Sequence, residues 1–363
     1  MNAVESVDLE DTEALVAADR DGLLRAASMS GAYVRAMAAA RDEGALESLY
    51  GERPRTVVWV AGRGVAHDAG AMLAATLGPV ASQPFVIVDS APPWLGPLDV
   101  VIIAGDDAGD PALIHAAGMG VRRGARVVVA TPFEGPLRDS TAGRVAVLSP
   151  RLPVPDEFGL CRHLAAGLAV AQTVDPRVSV DLAALADQLD HEALRNSAGR
   201  ELFINPAKML AERLSVPGLV LAGDGAATLA LARYGSALLL RVARQVVGAA
   251  GLADVVVAVR SAAASGGHGR SLFHDDDIDG PIPERLWALA LILAGERNSV
   301  SARTAGLDDV SLLAAADVPE LSDASVAPMG AAQEPPTTGP EPELAVLAVR
   351  LQMAAVYLRL VRG

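Results

Sequence analysis

The chain has 363 residues and a formal net charge of −14, and 51% of its residues are hydrophobic although only 3% are aromatic. The acidic balance argues against nucleic-acid binding, which requires a basic surface, and the single cysteine, Cys161, excludes an internal disulfide and a cysteine-ligated metal cluster. An acidic N-terminus without a leader pattern, and the lack of a charge-free apolar run of spanning length, predict a cytoplasmic protein without a membrane partner.

The first part of the chain predicts an α/β domain behind a helical extension. Helical periodicity with small residues covers the N-terminal extension, residues 1–50. Helical segments then alternate with short β-branched runs: VVWVAGRG, FVIVD, DVVIIAG, RVVVATP and RVAVLSP. Because strands covered on both faces appear as continuous apolar runs, this alternation predicts a parallel sheet flanked by helices over residues 51–150.

A helical connector, residues 151–204, separates this domain from a second one. The second α/β domain is predicted over residues 205–300, with GLVLAGDG and DVVVAV as strands and RSLFHDD as a candidate late strand. The stretches VVWVAGRGVAHDAGAML and LVLAGDGAATLALARYG share a strand, a small-residue turn and a helix. This similarity favours an internal duplication, although short GxG turns occur widely in α/β folds.

The C-terminal part is predicted to be a linker followed by a helix. Proline, alanine and acidic residues dominate SDASVAPMGAAQEPPTTGPEPE, and the flexible acidic linker is placed at residues 301–343. The final stretch, LAVLAVRLQMAAVYLRLVRG, predicts an amphipathic helix over residues 344–363. We expect this helix to dock its apolar face on the body of the protein.

The candidate ligand-binding residues lie where predicted strands end, because open α/β sheets bind ligands at the carboxyl ends of their strands. They are Gly62, Arg63, Gly64, Asp106, Asp107 and Thr131. A loop before a helix N-terminus normally suits an anion, yet GDDAGDP carries three carboxylates. Asp110 is expected to cap the helix that begins at Pro111. The other two aspartates, Asp106 and Asp107, are candidates to pair with Arg63 or to bind a cationic group or a metal.

Two histidines are weak candidates for acid–base roles. His67 follows the GRG turn, where a helix-capping or partly exposed histidine is the alternative. His268 lies in ASGGHGRS, which is either a loop that closes over a ligand or an ordinary surface loop. The run HDDDIDG at residues 274–280 has the carboxylate density of a calcium or magnesium loop but lacks EF-hand spacing. A solvated acidic loop is favoured there, and no metal site is predicted.

Six stretches, taken in chain order, carry a resemblance to a known family: GRGVAHDAG, APPWLGPLDVVIIAG, RRGARVVVATPFEGPL, NPAKMLAERL, FHDDDIDGPIPERL and LQMAAVYLRLVRG. From about residue 55 onward the chain resembles the SIS (sugar isomerase) fold, specifically the TobH-like group of the bifunctional phosphoglucose/phosphomannose isomerases. The resemblance implies two SIS-like domains, each a parallel sheet flanked by helices. It also implies no cofactor and a homodimer in which one subunit completes the site of the other.

The chain departs from this family at the residues that carry its chemistry. The family's phosphate cradle uses Ser and Thr hydroxyls, and the corresponding positions here lack a hydroxyl: Ala66, Ala104, Asp106 and Gly109. The family's catalytic glutamate corresponds to Leu240, which cannot act as a base, and its histidine has only His268 as a loose counterpart.

These departures predict a sugar-derivative-binding or regulatory SIS protein, a pseudoenzyme linked to glucose and mannose phosphate metabolism. Its phosphate loop and catalytic residues are degenerate, and its cleft takes a sugar derivative or a protein partner. The alternative is an active glucose-6-phosphate/mannose-6-phosphate isomerase with relocated catalytic residues. A purely structural oligomer is a third interpretation.

Overall fold

The computed structural model describes residues 7–153, 155–264, 285–318 and 339–363. His268, the candidate strand RSLFHDD, the acidic run at 274–280 and most of the proline-rich segment lie outside the described residues. The predicted N-terminal extension is helical and consists of α1 (Thr12–Ala18), α2 (Leu23–Ser28), α3 (Ser30–Asp42) and a 3₁₀ turn at Glu47–Leu49.

The first sheet is parallel and has the strand order β2-β1-β3-β4-β5. Its strands are β1 (Thr56–Ala61), β2 (Phe85–Val88), β3 (Asp99–Ala104), β4 (Arg126–Ala130) and β5 (Ala146–Val147). The intervening helices are α4 (Val65–Leu77), α5 (Pro111–Arg122) and α6 (Gly135–Thr141). Ala61, Ala104 and Ala130 lie side by side in register, so β1, β3 and β4 end at the same level. The three loops that follow them therefore meet at one edge.

The connector between the sheets packs against the first domain. It contains a 3₁₀ turn (Asp156–Phe158), α7 (Leu160–Val174), α8 (Leu182–Arg195), a second 3₁₀ turn (Leu202–Ile204) and α9 (Pro206–Leu214). Helix α7 lies against α3 and α4. Nearly every residue of α7 is buried, so polar side chains on this helix are enclosed by protein.

The second sheet is also parallel, with the order β7-β6-β8-β9. It comprises β6 (Leu219–Gly223), β7 (Gly248–Gly251), β8 (Trp287–Leu291) and β9 (Val310–Leu313), with helices α10 (Ala226–Ala243), α11 (Leu252–Ala264) and α12 (Arg297–Thr304). The prediction of a strand at DVVVAV is wrong, because that segment belongs to α11. Its buried residues Leu252, Val255 and Val259 recur at helical spacing, and the strand lies just before them.

The predicted linker boundary at residue 301 is also corrected. Helix α12 continues to Thr304, and β9 pairs with β8 in the second sheet. The short apolar run VSLL forms this edge strand although acidic residues surround it. The second domain therefore extends past residue 300, and the C-terminal helix begins at Glu341 rather than at residue 344.

The C-terminal helix, α13 (Glu341–Arg362), lies in the centre of the protein instead of docking by one face. It contacts α8, α9 and α10, and it is buried on almost all sides. Even Arg350 is fully buried, where its Nε donates to Glu192 Oε1 at 2.7 Å. Helices α10 and α13 have the length and apolarity of membrane spans, but 61% and 83% of their apolar windows are buried inside the protein. Core packing therefore accounts for their composition.

Candidate functional site

A cavity of about 200 Å³ lies at the carboxyl edge of the first sheet. Four of the predicted ligand-binding residues line it: Gly62, Arg63, Asp106 and Asp107. Asp156, from the turn before α7, and Arg241, from α10, complete its polar lining together with Asp110. The cavity thus lies between the first sheet, the connector and the second domain.

The GRG turn brings a free cation to the cavity. Gly62 donates its backbone N–H to Ala104 O at 2.7 Å, which ties the turn to the end of β3. Gly64 has φ +76°, a conformation that favours glycine, and it leads directly into α4. The Arg63 side chain is exposed, and no acidic residue in the described part of the chain forms an ion pair with it. Arg63 is therefore available to a ligand.

Asp106 pairs with Arg162 and not with Arg63, which corrects the expected pairing. The Arg162 guanidinium, whose side chain is 2% exposed, donates to Asp106 Oδ1 through NH2 and to Ala130 O through NH1 at 3.1 Å. His163 Nε2 lies 3.5 Å from the other carboxylate oxygen. The physical reason is position: the first turn of α7 lies beside the loop after β3, so the Asp106 carboxylate turns inward.

The protonation states in this group follow from burial and charge. Burial by itself raises the pKa of Asp106, but hydrogen bonds and charges from His163 and Arg162 outweigh it and lower that pKa below its ordinary value. Burial, assisted by the neighbouring Arg162 charge, lowers the pKa of His163 to about 4. At neutral pH the group is thus a carboxylate, a guanidinium and an uncharged imidazole.

Two buried nitrogen atoms in this group, Arg162 Nε and His163 Nδ1, have no hydrogen-bond partner among the described residues. His163 Nε2 lies 3.0 Å from Arg162 NH2 and 3.5 Å from Asp106 Oδ2, so the same ring nitrogen faces both charged partners. Buried polar groups are almost always bonded. The two exceptions here belong to residues that contact the cavity residue Asp106.

The other two aspartates of the loop have local roles. Asp107 is exposed, and its Oδ1 accepts a hydrogen bond from Gly109 N at 2.7 Å. Asp110 Oδ1 accepts from Ala112 N at 2.8 Å, so the predicted helix cap is confirmed. The three carboxylates do not converge on one point. Among the described residues, no group of three His, Cys, Asp or Glu side chains could hold a metal ion.

The remaining predicted residues lie outside the cavity lining. The hydroxyl of Thr131 is buried and donates to Ile103 O at 3.1 Å, so it links the end of β4 to β3. His67 is exposed on the first turn of α4. Leu240 is 54% exposed on α10, and the next residue, Arg241, is the one that lines the cavity.

Four polar residues at or beside the site were not predicted from the sequence: Arg162, His163, Asp156 and Arg241. Arg162 and His163 carried a readable signal, because they form the one polar pair within the apolar helix GLCRHLAAGL, where a buried charge needs a partner. Asp68 was also missed. Burial raises its pKa to about 6, although the charges of His67 and Arg233 counteract the shift.

Two parallel sheets flanked by helices, with a cavity at the carboxyl edge of the first, define a tandem SIS-like α/β protein with the architecture of phosphosugar isomerases. The fold predicted from the sequence is confirmed. Neither a protein-family model nor a curated protein sequence matches the chain.

Similarity to solved structures specifies this architecture. Tagatose-6-phosphate ketose/aldose isomerase from Escherichia coli is 16% identical, with a TM-score of 0.56 over 94% of this chain and 90% of that one. The C-terminal domain of glucosamine-fructose-6-phosphate aminotransferase from Francisella tularensis is 11% identical, with a TM-score of 0.55 over 94% and 96%. A hypothetical protein from Thermus thermophilus is 13% identical, with a TM-score of 0.59 over 96% and 88%. At these identities the similarity establishes the fold.

Proposed function

We propose that this protein is a non-catalytic relative of the phosphoglucose/phosphomannose isomerases that binds an uncharged sugar derivative in the cavity beside Asp106. The observation that carries the proposal is the ion pair between Asp106 and Arg162. It fills the loop after β3 with an internal carboxylate, at the position where the family resemblance implies a phosphate cradle. The homodimer is a proposal that rests on the same resemblance, and the cytoplasmic location is a proposal that rests on the single cysteine.

The charges around the cavity favour hydroxyl groups over a phosphate. Arg63 and Arg241 offer guanidinium donors, and Asp107 and Asp156 offer carboxylate acceptors, which together suit a polyhydroxylated ligand. A phosphate about 4 Å from one carboxylate meets repulsion of about 4 kcal/mol per unit charge near a protein surface. A helix N-terminus returns only about 0.3–1 kcal/mol. A phosphate ester is therefore disfavoured.

The absence of turnover is proposed because the position of the family's catalytic glutamate carries no acid–base group. Isomerisation of a sugar phosphate requires a positioned base that moves a proton between neighbouring carbons. Leu240 has no ionisable group, and His163 is fully buried behind Asp106. Loss of acid–base help alone typically lowers a rate by about 10²–10⁴-fold.

Ligand binding is the first test. We expect one or more uncharged monosaccharides or their derivatives to raise the melting temperature of the protein, while glucose 6-phosphate and mannose 6-phosphate leave it unchanged. A ligand at 100 times its Kd stabilises the folded state by about 2.7 kcal/mol. Arg63→Ala should weaken this binding without destabilising the fold, because Arg63 is exposed.

A matched control is available for that variant. Arg144 is also exposed, but it precedes β5 and so lies at the opposite end of the first sheet from the cavity. Arg144→Ala removes the same charge and should leave sugar binding unchanged. Binding of phosphate esters but not of uncharged sugars, or an equal loss in both variants, would contradict the proposal.

Turnover is the second test. Purified protein should not interconvert glucose 6-phosphate or mannose 6-phosphate with fructose 6-phosphate in a coupled assay. A turnover above about 1 s⁻¹ lies within the ordinary range of enzymes and would refute the non-catalytic interpretation.

One observation favours the alternative, an active isomerase with relocated residues. Asp68 has its pKa raised to about 6 by burial, and it stands beside His67 on the first turn of α4, close to the cavity residue Val65. A carboxyl group with such a pKa suits proton transfer near neutral pH. If turnover is found, Asp68→Asn should lower it by about 10²–10⁴-fold, whereas an unchanged rate would exclude this base.

A further inference from the structure

The Asp106 carboxylate occupies a position that is built for an anion. It lies at the N-terminus of α7, a helix of 15 residues, and a Cβ on the preceding Gly159 would be 3.7 Å from Asp106 Oδ1. The first N–H groups of a helix are free of intrahelical partners and attract negative charge. Arg162 projects from this same turn and donates to the same oxygen.

A second observation points independently to a ligand position. Arg162 is 2% exposed and His163 is fully buried, yet Arg162 Nε and His163 Nδ1 have no hydrogen-bond partner in the part of the chain that the structure describes. A carboxylate offers two oxygen atoms, and both are already directed at this pair. A tetrahedral oxyanion offers more acceptor oxygens, so it can also accept from Arg162 Nε, a donor that the carboxylate leaves unbonded.

We propose that Arg162 and the N-terminus of α7 form a latent oxyanion site, and that Asp106 is an internal counter-ion that keeps phosphate out of it. The proposal deepens the proposed function, on which it rests, because it names the residue that selects uncharged sugars. Asp106 both contacts Arg162 and lines the cavity. An oxyanion in its place would therefore have the cavity available for the group attached to it.

The test compares two neighbouring aspartates. Asp106→Ser removes the internal counter-ion, whereas Asp107→Ser removes the same charge from the cavity lining without touching Arg162. Inorganic phosphate and glucose 6-phosphate are titrated into each variant and into the unchanged protein by calorimetry. Each hydrogen bond from a charged donor changes affinity by roughly 10- to 150-fold. We expect a gain of at least this size for Asp106→Ser and a much smaller one for Asp107→Ser.

Thermal unfolding gives a second readout for the same variant. Asp106→Ser leaves Arg162 buried without its partner, so its melting temperature should fall, and millimolar phosphate should restore it. If the variant folds only in the presence of phosphate, the recovery of folded protein serves as the readout. Asp106→Asn, which keeps the side-chain shape, should show the same recovery to a smaller extent.

A double variant tests whether Arg162 is the group that binds the phosphate. Asp106→Ser with Arg162→Leu removes both charges and should lose the gained phosphate affinity. The inference is overturned if Asp106→Ser gains none, if Asp107→Ser gains equally, or if the double variant binds as well as Asp106→Ser. These outcomes are independent of whether the unchanged protein binds uncharged sugars, so failure of the inference and failure of the proposed function are distinguishable.

Discussion

The two domains begin with the same pattern, a strand followed by a GxG turn and a helix, but the two turns differ in structure. In the first, a Cβ on Gly62 would meet no atom closer than 3.4 Å, and the turn borders the cavity. In the second, a Cβ on Gly223 would overlap the backbone nitrogen of Leu229. The first turn is therefore open, and the second is closed by its own helix.

The residues after each turn explain this difference. Thr228 accepts a hydrogen bond from Gly225 N at 3.1 Å and draws the start of α10 onto β6. The equivalent residue in the first turn is His67, which is exposed, and the equivalent glycine, Gly64, has φ +76°. The middle residues differ as well, since Arg63 forms no ion pair with any described residue whereas Asp224 is paired with Arg303. A repeated sequence signature thus borders a cavity only where the following helix stands away from the turn.

The largest expected effect on stability comes from removing the arginine that forms an ion pair with an aspartate near each turn. Arg162→Met should destabilise the fold by about 3–5 kcal/mol, because it leaves a mostly buried carboxylate without its buried partner. Arg303→Met breaks a pair in which the arginine side chain is 47% exposed and should cost about 0–1 kcal/mol. Urea unfolding of both variants measures their free energies of unfolding. Equal losses in the two variants would contradict the predicted difference between the two ion pairs.

A pH-dependent effect of about 2–3 kcal/mol is expected at Asp68, whose place is taken by Leu229 in the second turn. Burial raises its folded-state pKa from 3.8 to about 6, so the folded state binds this proton more tightly than the unfolded state. The resulting stability is fully present below pH 3.8 and is lost as the pH rises through about 6.

Asp68→Asn removes this dependence. The variant should be more stable than the unchanged protein at about pH 8, and the difference should disappear near pH ~4. Because other groups, including His163, titrate in both proteins, the difference between their urea midpoints isolates Asp68. A constant difference across this pH range would show that Asp68 is not buried as described.

A smaller contrast is expected between the two glycines. Gly223→Ala forces a Cβ against the backbone at the start of α10, and such overpacking typically costs about 1–3 kcal/mol. Gly62→Ala makes only ordinary contacts and should change stability by no more than about 0.5 kcal/mol. Thermal melts of the two variants measure these stability changes. A loss at Gly62 as large as that at Gly223 would mean that the first turn is also closed.

The sequence predicted the features that local patterns determine. Apolar runs located all five strands of the first sheet, and the start of β6 is at the expected Leu219. The pattern failed at DVVVAV, where a β-branched run belongs to a helix, and at VSLL, where an edge strand is only four residues long. Tertiary packing decides such short segments more than their own propensity does.

The candidate site was predicted in position but not in its pairing. Strand ends placed Arg63, Asp106 and Asp107 at one edge, and all three line the cavity. The partner of Asp106 lies 56 residues away on a helix of the connector, and no spacing rule links the two. Arg63 was one candidate partner because it lies across the strand ends from Asp106, whereas the buried guanidinium of Arg162 has the stronger requirement for a counter-ion.

Arg162 stabilises the mostly buried carboxylate of Asp106 through an ion pair. A double-mutant cycle tests this interaction most directly. Asp106→Ala, Arg162→Met and the double variant are unfolded in urea near neutral pH, and their free energies of unfolding are compared. Contacting charged residues show coupling energies of up to about 3 kcal/mol, and we predict at least ~1.5 kcal/mol here. Effects that add to within about 0.3 kcal/mol would contradict this pairing, and with it the proposal that Asp106 keeps phosphate out of the cavity.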